Sequence, residues 1–203
     1  SHCQIYHQVG DCIMPREGVF ARVLHGGWVT VGDTMEITTE PIPLDAAVIT
    51  ASDKGARGER EDKSGAAIRE MLAEAGYHVA GFNIVPDEKE VLMREMTLWA
   101  DRGVALILTT GGTGFSVRDV TPEATRAVIE RETPGIPEAM RALSMQITPR
   151  AMLTRAAAGI RKRSLIVNLP GSEKAVRECL EFILPQLQHG VEILRGDTGE
   201  CAR

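Results

Sequence analysis

The sequence predicts a three-layer α/β fold for most of the chain. Short continuous apolar runs alternate with segments whose apolar residues recur at helical spacing, and a glycine-rich loop directly follows one of the apolar runs. Apolar runs of this kind are typical of strands that are buried on both faces of a parallel sheet, with helices packed above and below. The 203 residues are 43% hydrophobic and 25% charged, which allows one sizeable core.

The first part of the predicted domain consists of βαβ units. Each apolar run is long enough for one buried strand, and Gly76 and the Pro86-Asp87-Glu88 turn mark where one helix ends and the next begins. The predicted strands cover residues 46–51, 77–85 and 104–108, and the helices between them have apolar positions over residues 66–75 and 91–99.

In the second part of the domain, the sequence predicts further helices and one more strand. Thr121 is predicted to N-cap a helix, with Pro122 at the first helical position. The other predicted elements are helices over residues 136–147 and 150–155, a strand over residues 164–169, the turn Pro170-Gly171-Ser172, and a last amphipathic helix through Leu184.

The first 44 residues predict a separate, β-rich segment. Two β-rich runs flank His25-Gly26-Gly27, a second turn is predicted at Val31-Gly32-Asp33, and two prolines then mark a linker. A segment of ~40 residues does not bury enough surface to fold alone. We therefore predict a domain boundary between residues 1–44 and residues 45–203. The chain begins Ser-His-Cys, which indicates a fragment or a processed chain.

The composition argues against several classes of protein. No apolar run reaches the ~18 residues of a membrane span, and the first residues do not resemble a secretory signal. A net charge of -5 does not draw the molecule to nucleic acid. Cys3, Cys12, Cys179 and Cys201 are too unevenly spaced for a disulfide framework. We expect a cytoplasmic protein with reduced thiols that binds neither nucleic acid nor membranes.

The loop after the third predicted strand is a candidate phosphate site. Residues 109–125 read TTGGTGFSVRDVTPEAT, and glycine lets backbone N–H groups approach an anion closely. The loop lacks the Gly-Lys-Ser/Thr ending of a Walker A motif. It also differs from the dinucleotide pattern, because Gly112-Thr113-Gly114 is followed by Phe115-Ser116-Val117. A tight strand-to-helix turn explains an isolated GGTG equally well.

Polar residues follow four of the predicted strands. Asp119 lies just beyond Gly114, Asp87 follows the second strand, Ser52-Asp53 follows the first, and residues 168–171 end the last. Because ligands of open α/β sheets gather at the carboxyl ends of the strands, we expect these residues to line one cleft. Magnesium is typically held by one or two carboxylates together with substrate phosphates. The pattern therefore predicts metal-assisted chemistry on a phosphate-containing ligand.

Several blocks of sequence carry a more specific resemblance. Residues 45 to about 195 resemble the molybdopterin adenylyltransferase family, which includes MogA- and MoaB-like proteins and the corresponding domain of gephyrin. The resemblance implies a three-layer α/β/α fold with a mixed, mostly parallel sheet, and the MgATP-dependent adenylylation of molybdopterin with release of pyrophosphate. The blocks are residues 52–54 (SDK), 62–65 (DKSG), 85–88 (VPDE), 109–125, 137–141 (PEAMR), 157–161 (AAGIR) and 165–172 (LIVNLPGS).

The resemblance also implies roles for particular residues. Asp87 and Asp119 correspond to the catalytic aspartates, and Asp119 would hold Mg²⁺ with help from Asp87. Arg118 and Lys63 are candidate positive charges, whereas Arg161 is interpreted as a surface residue. A downstream molybdenum-insertion protein and a homotrimer are the implied partners. The nucleotide and pterin would be bound by Ser52, Asp53, Gly111, Gly112, Thr113, Gly114, Pro170, Gly171 and Ser172.

Residues 3–37 resemble the end of a MOSC domain, the sulfur-carrier β-barrel module. Cys3 or Cys12 could then carry sulfur or lie near a metal, but most of the barrel is missing from this sequence, and inert thiols are the favoured interpretation. Two other functions stay open for the main domain. One is a non-catalytic protein of the same fold that binds molybdopterin, and the other is an enzyme acting on another nucleotide-linked pterin or on a nicotinamide nucleotide.

Overall fold

The computed structural model of the chain describes residue 28, residues 30–34 and residues 44–196. The chain divides into two compact units, Ser1–Glu40 and Pro41–Arg203. The described residues of the first unit are little more than one turn, in which the Asp33 amide donates to the Thr30 carbonyl at 3.1 Å. The rest of the predicted β-rich segment lies outside the described residues, so the MOSC resemblance and the boundary after residue 44 stay predictions.

Strands and helices alternate through the second unit. The strands are β1 (Asp45–Ala51), β2 (His78–Val85), β3 (Leu106–Thr110), β4 (Arg131–Glu132), β5 (Ala158–Arg161) and β6 (Ser164–Leu169). The helices are α1 (Asp53–Ala56), α2 (Lys63–Glu74), α3 (Lys89–Asp101), α4 (Thr121–Val128), α5 (Gly135–Ile147) and α6 (Glu173–Arg195), with a 3-10 helix at Pro149–Leu153. Among the described residues, no helix is both long and apolar enough to cross a membrane.

The strands form one sheet in the order β2-β1-β3-β6-β5-β4. The pairs β1 with β2, β1 with β3, and β3 with β6 are parallel, whereas β5 pairs antiparallel with both β6 and β4. The predicted mixed, mostly parallel sheet is therefore confirmed.

The two faces of the sheet bury different helices. Ala46 and Val48 of β1 pack in one core cluster with residues of α2, α5 and α6, among them Ile68. Ala47 and Ile49 pack in a second cluster with residues of α3 and α4. The side chains of a strand point alternately to opposite faces, so a continuous apolar run supplies both clusters. The three-layer arrangement that the sequence predicts is confirmed.

Three features of the secondary structure differ from the prediction. Helix α4 begins at Thr121 itself, with Val120 at its N-cap, so Pro122 is the second helical residue. A 3-10 helix replaces the short helix predicted after residue 150. Strands β4 and β5 and the single turn of α1 were not predicted, because each is too short to show a hydrophobic period.

The last helix is much longer than predicted. It continues past Leu184 to Arg195 and contains Pro185 within it. Proline within a helix removes one backbone hydrogen bond and crowds the carbonyl four residues earlier, but buried side chains such as Leu187 and Val191 keep the second half of α6 packed on the core. Pro185 therefore does not end the helix. Cys179 of the same helix is buried and unpaired, as the sequence predicts.

A buried asparagine connects the sheet to α4. The Asn168 side chain is fully buried near the end of β6, and its Nδ2 donates to Thr109 Oγ1 at 2.9 Å and to Thr125 Oγ1 at 2.7 Å. Its Oδ1 accepts from the Ala157 amide at 3.1 Å. A buried polar group that is fully hydrogen-bonded fixes the relative positions of its partners. Asn168 thus ties β3, β6, α4 and the chain before β5 together beneath the loops.

This network predicts different effects for two threonines on one helix. We expect Thr125→Val to lower the free energy of unfolding by about 1–3 kcal/mol, because one Nδ2 proton of Asn168 loses its buried acceptor. Thr121→Val is the matched control, since the equally buried Thr121 hydroxyl has no hydrogen-bond partner among the described residues. Its stability should be unchanged or slightly higher. Urea unfolding of both variants measures the difference, and equal losses would contradict the assigned network.

Candidate active site

The loops that carry the candidate residues begin at one edge of the sheet. Ala51 at the end of β1 lies opposite Val85 at the end of β2, and Thr110 at the end of β3 lies between Thr50 and Leu169. The four loops that follow these parallel strands therefore start at nearly the same level, as the sequence predicts.

A cavity of about 610 Å³ opens at this edge. Seven of the predicted site residues line it, namely Ser52, Asp87, Gly111, Gly112, Asp119, Gly171 and Ser172. The other four, Asp53, Thr113, Gly114 and Pro170, are not among the lining residues. Lys63, a predicted candidate positive charge, also lines the cavity. The lining residues that the sequence did not predict are Thr50, Ala51, Gly55, Arg60, Glu61, Asp62, Ser64, Thr110 and Glu173.

Two glycines allow the loop after β3 to turn closely over the end of β1. Gly111 and Gly112 have φ angles of +90° and +62°, in the left-handed region that favours glycine. A Cβ on Gly111 would lie 2.3 Å from the Ala51 carbonyl oxygen, and one on Gly112 would lie 2.4 Å from Thr121 Oγ1. The tight turn therefore requires glycine for its own geometry, whether or not a ligand binds.

The carbonyl groups of the glycine loop are held by the protein, whereas its amides are not. The carbonyl of Gly112 accepts from the first amide of α4 at 3.1 Å, and that of Thr113 accepts from the Arg155 amide at 2.9 Å. The carbonyl of Gly114 accepts from Arg155 Nε at 2.7 Å. Because C=O and N–H point in opposite directions across a trans peptide, the N–H groups of Thr113, Gly114 and Phe115 face away from these anchors. Within the described part of the chain, these three amides donate to no protein atom.

Arg155 is the main anchor of this loop, and sequence reasoning missed it. It lies between the 3-10 helix and β5, and its side chain is 31% exposed. Besides its bonds to Thr113 and Gly114, its guanidinium donates to the Asp119 carbonyl and to the Glu123 carboxylate. The signal in the sequence was an arginine placed directly before the apolar run of residues 156–158. A charge in that position needs several fixed partners.

Asp53 and Asp87 hold each other at the ends of β1 and β2. The Asp53 amide donates to Asp87 Oδ2 at 2.9 Å, and the Asp87 amide donates to Asp53 Oδ1 at 3.1 Å. Arg118 then donates through Nε and Nη2 to the two oxygens of Asp53, at 3.0 and 2.7 Å. Asp53, which was predicted to bind substrate, and Arg118, a candidate positive charge, are therefore each other's partner in this structure.

The pKa values of Asp87 and Asp53 shift in opposite directions. Burial raises the pKa of Asp87, and the neighbouring carboxylates of Asp53 and Asp119 act in the same direction, against the Asp53 amide and Arg118. The hydrogen bonds from Arg118 lower the pKa of Asp53. The folded protein therefore favours the charged form of Asp53 and disfavours that of Asp87.

Asp87 and Asp119, two of the five acidic residues that line the cavity, have a donor set that fits a magnesium ion. Asp87 and Asp119 each use one oxygen to accept a backbone amide, from Asp53 and from Ser116. The other oxygen of each carboxylate accepts no hydrogen bond from the described residues. Among these residues, no group of three or more His, Cys, Asp or Glu side chains is placed to hold a metal. Two oxygen donors suit Mg²⁺ that keeps water and substrate phosphates as its other ligands.

The opposite wall of the cavity is formed by the N-termini of two helices. Asp62 caps α2 by accepting from the Gly65 amide at 2.8 Å, and Ser172 caps α6 by accepting from the Ala175 amide at 3.3 Å. Ser64 Oγ donates to the Gly171 carbonyl at 2.9 Å and so joins the two ends. Helix N-termini carry partial positive charge, which favours anions.

The three candidate positive charges take different places. Lys63 lines the cavity beside these helix ends, and Arg118 is committed to Asp53. Arg161 donates to the Val128 carbonyl at 3.0 Å and lies 3.8 Å from Asp101, and it is not among the residues that line the cavity.

Comparison with known proteins assigns this arrangement to a family. Residues 47–189 match the family model described as "Probable molybdopterin binding domain". The chain belongs to this family. Within it, the chain is 42% identical over 153 residues to the molybdopterin adenylyltransferase of Helicobacter pylori strain J99, covering 74% of this chain and 87% of that protein.

Solved structures of family members share the fold. The molybdopterin biosynthesis enzyme MoaB of Thermus thermophilus superposes with a TM-score of 0.72 and 50% identity, covering 75% of this chain and 97% of that one. The tungsten cofactor synthesizing protein MoaB of Pyrococcus furiosus gives 0.70 and 37%, covering 77% of this chain and 99% of that one. The resemblance to MogA- and MoaB-like proteins that the sequence indicates is thus confirmed for this part of the chain.

The opposite pKa shifts predict opposite effects on stability. A raised pKa means that the folded state binds the proton more tightly, so ionised Asp87 costs stability at neutral pH, and this cost disappears below about pH 4. Asp87→Asn should therefore raise the melting temperature at pH 7, with the gain lost on acidification.

Asp53→Asn is the matched control. Its lowered pKa contributes stability at neutral pH that is lost as the pH falls through the folded pKa, so this variant should melt below wild type at pH 7. Thermal unfolding between pH 3 and 7 measures both effects. Shifts of the same sign for the two variants would refute the assigned environments.

Proposed function

We propose that the chain transfers the adenylyl group of MgATP to the terminal phosphate of molybdopterin, in molybdenum cofactor biosynthesis. Family membership and the 42% identity to a molybdopterin adenylyltransferase support the reaction class. One structural observation supports the chemistry most directly: two carboxylates, each with one oxygen that accepts no hydrogen bond from the described residues, line the same cavity that the glycine loop borders. Such a site is suited to an anionic ligand with a bound divalent cation.

The proposed step is an in-line displacement at the α-phosphorus of ATP. An oxygen of the molybdopterin phosphate attacks this phosphorus, the bond to the oxygen that bridges the α- and β-phosphates breaks, and pyrophosphate leaves with the electron pair. The products are adenylyl-molybdopterin and pyrophosphate. Catalysis of phosphoryl and nucleotidyl transfer depends mostly on positioning and charge neutralisation, so the protein needs no covalent intermediate.

The residues of the cavity supply these two requirements. Asp87 and Asp119 would hold Mg²⁺, which neutralises charge on the pyrophosphate leaving group when it is bound. The backbone amides of the glycine loop would donate to phosphate oxygens, and the N-terminus of α6, which is capped by the neutral Ser172, favours a second anionic group on the opposite wall. Lys63 adds a positive charge at the start of α2, where the cap is the carboxylate of Asp62. The site can thus hold two polyanionic substrates although the whole chain has a net charge of -5.

The assembly and cellular context of the chain follow from the same proposal. A homotrimer, a cytoplasmic location and delivery of the product to a molybdenum-insertion protein are expected from the family resemblance. The α5 and 3-10 segment offers an apolar surface for self-association. Its exposed side chains are Met145, Ile147, Met152 and Leu153. Light scattering of the purified chain should give the mass of three copies, and a monomer mass would remove the trimer from the proposal.

A reconstituted reaction tests the function itself. The purified chain is incubated with ATP, Mg²⁺ and molybdopterin, and both adenylyl-molybdopterin and pyrophosphate are measured. Formation of the two products in equal amounts, dependent on Mg²⁺, is the expected result. A well-folded protein that binds molybdopterin without forming either product would instead be a non-catalytic binding protein of the same fold.

Replacement of one carboxylate should separate activity from folding. We expect Asp119→Asn to lower turnover by roughly 100-fold or more, because a preorganised charge at the reacting phosphates is lost while the side chain keeps its shape. Asp101→Asn is the control, since Asp101 lies at the end of α3 and pairs with Lys162 at 2.8 Å, outside the cavity lining. Pyrophosphate release measures both variants. Near-normal turnover of Asp119→Asn would exclude the assigned site.

A further inference from the structure

We infer that Arg155 is the positioning residue of the active-site loop. It touches neither the cavity nor a reacting group, and it acts through the backbone of residues 113–119. Its amide and side chain donate to the carbonyls of Thr113, Gly114 and Asp119 and to the carboxylate of Glu123. No other side chain in the described part of the chain donates to three groups of this segment and its following helix.

The geometry explains how these contacts reach the opposite side of the loop. Each carbonyl that Arg155 holds belongs to a peptide whose N–H points in the opposite direction. Fixing the carbonyls of Thr113 and Gly114 therefore fixes the N–H groups of Gly114 and Phe115, which donate to no protein atom among the described residues. Arg155 sets the direction of donors that it does not contact.

The same guanidinium also sets the position of Asp119. It holds the Asp119 carbonyl, while Asp119 Oδ2 accepts from the Ser116 amide at 2.8 Å. The carboxylate is thus fixed at both its backbone and its side chain. Glu123, one turn into α4, completes the arrangement by holding the guanidinium itself. Arg155 links the anchored side of the loop to the helix that follows it.

Only arginine can make this set of contacts. Its planar guanidinium carries five donors in a rigid fork, whereas the lysine ammonium is a single point donor. Three acceptors spread over Gly114, Asp119 and Glu123 match the fork. Arg155→Lys keeps the charge and loses most of the geometry, so it distinguishes positioning from simple charge neutralisation.

Amide hydrogen exchange tests this role without reference to activity. In Arg155→Ala and Arg155→Lys, exchange of the hydrogen-bonded amides of Ser116, Arg118 and Asp119 should accelerate by about tenfold or more, while the amides of β1 and β3 keep their protection. Arg161→Ala is the matched control, because Arg161 is also largely buried and donates to a backbone carbonyl, but outside the cavity lining. Unchanged exchange of the Ser116, Arg118 and Asp119 amides in both Arg155 variants would overturn the inference.

Adenylylation activity is the second measurement, and its interpretation rests on the proposed function. We expect both Arg155 variants to lose at least about tenfold in kcat/KM for MgATP, and added guanidinium ion to restore part of the kcat of Arg155→Ala. Methylammonium ion should not restore it. If the wild-type protein forms no adenylylated product, the proposed function is refuted, but the hydrogen-exchange result still tests the positioning role of Arg155. Active wild type together with fully active Arg155→Ala would reject the positioning role.

Discussion

In-register parallel pairing of β1 with β3, and of β3 with β6, brings Thr50, Thr110 and Leu169 side by side at one edge of the sheet. Every feature of the site depends on this alignment. The glycine loop packs over the end of β1 only because β3 ends at the same level. The Asp53–Asp87 exchange of hydrogen bonds likewise requires that β1 and β2 end together. The positions of the site residues therefore depend first on strand register and only then on individual side-chain contacts.

Two polar side chains convert this alignment into a rigid site. Asn168 fixes the relative positions of β3, β6 and α4 beneath the loops. It lies within the core, where an amide without hydrogen-bond partners would lower the stability of the fold. Arg155 fixes the loop from the outside through its backbone carbonyls. Arg155 binds carbonyl groups of the loop and leaves the amides of Thr113, Gly114 and Phe115 without a partner among the described residues. A preorganised site of this kind needs little rearrangement when charge develops on the reacting phosphates.

The sequence predicted the parts of the structure that repeat a pattern. Continuous apolar runs identified β1, β2, β3 and β6, and the position of aspartates after strand ends identified the cleft. It did not predict how the polar groups would pair. Arg118 and Asp53 are far apart along the chain, and only the folded geometry commits them to each other. Arg155 escaped notice for the same reason, since no local pattern relates it to residues about 40 positions earlier.

In the proposed complex, one metal ion and the phosphates of one nucleotide meet between Asp87, Asp119 and the glycine loop. A crystal structure with Mn²⁺ and a non-hydrolysable ATP analogue would show where they meet, because the anomalous signal of manganese locates the metal. We expect manganese bound to at least one of the two carboxylates, with phosphate oxygens within hydrogen-bond distance of the loop amides. Manganese bound elsewhere, or phosphates that do not contact the loop, would refute this arrangement.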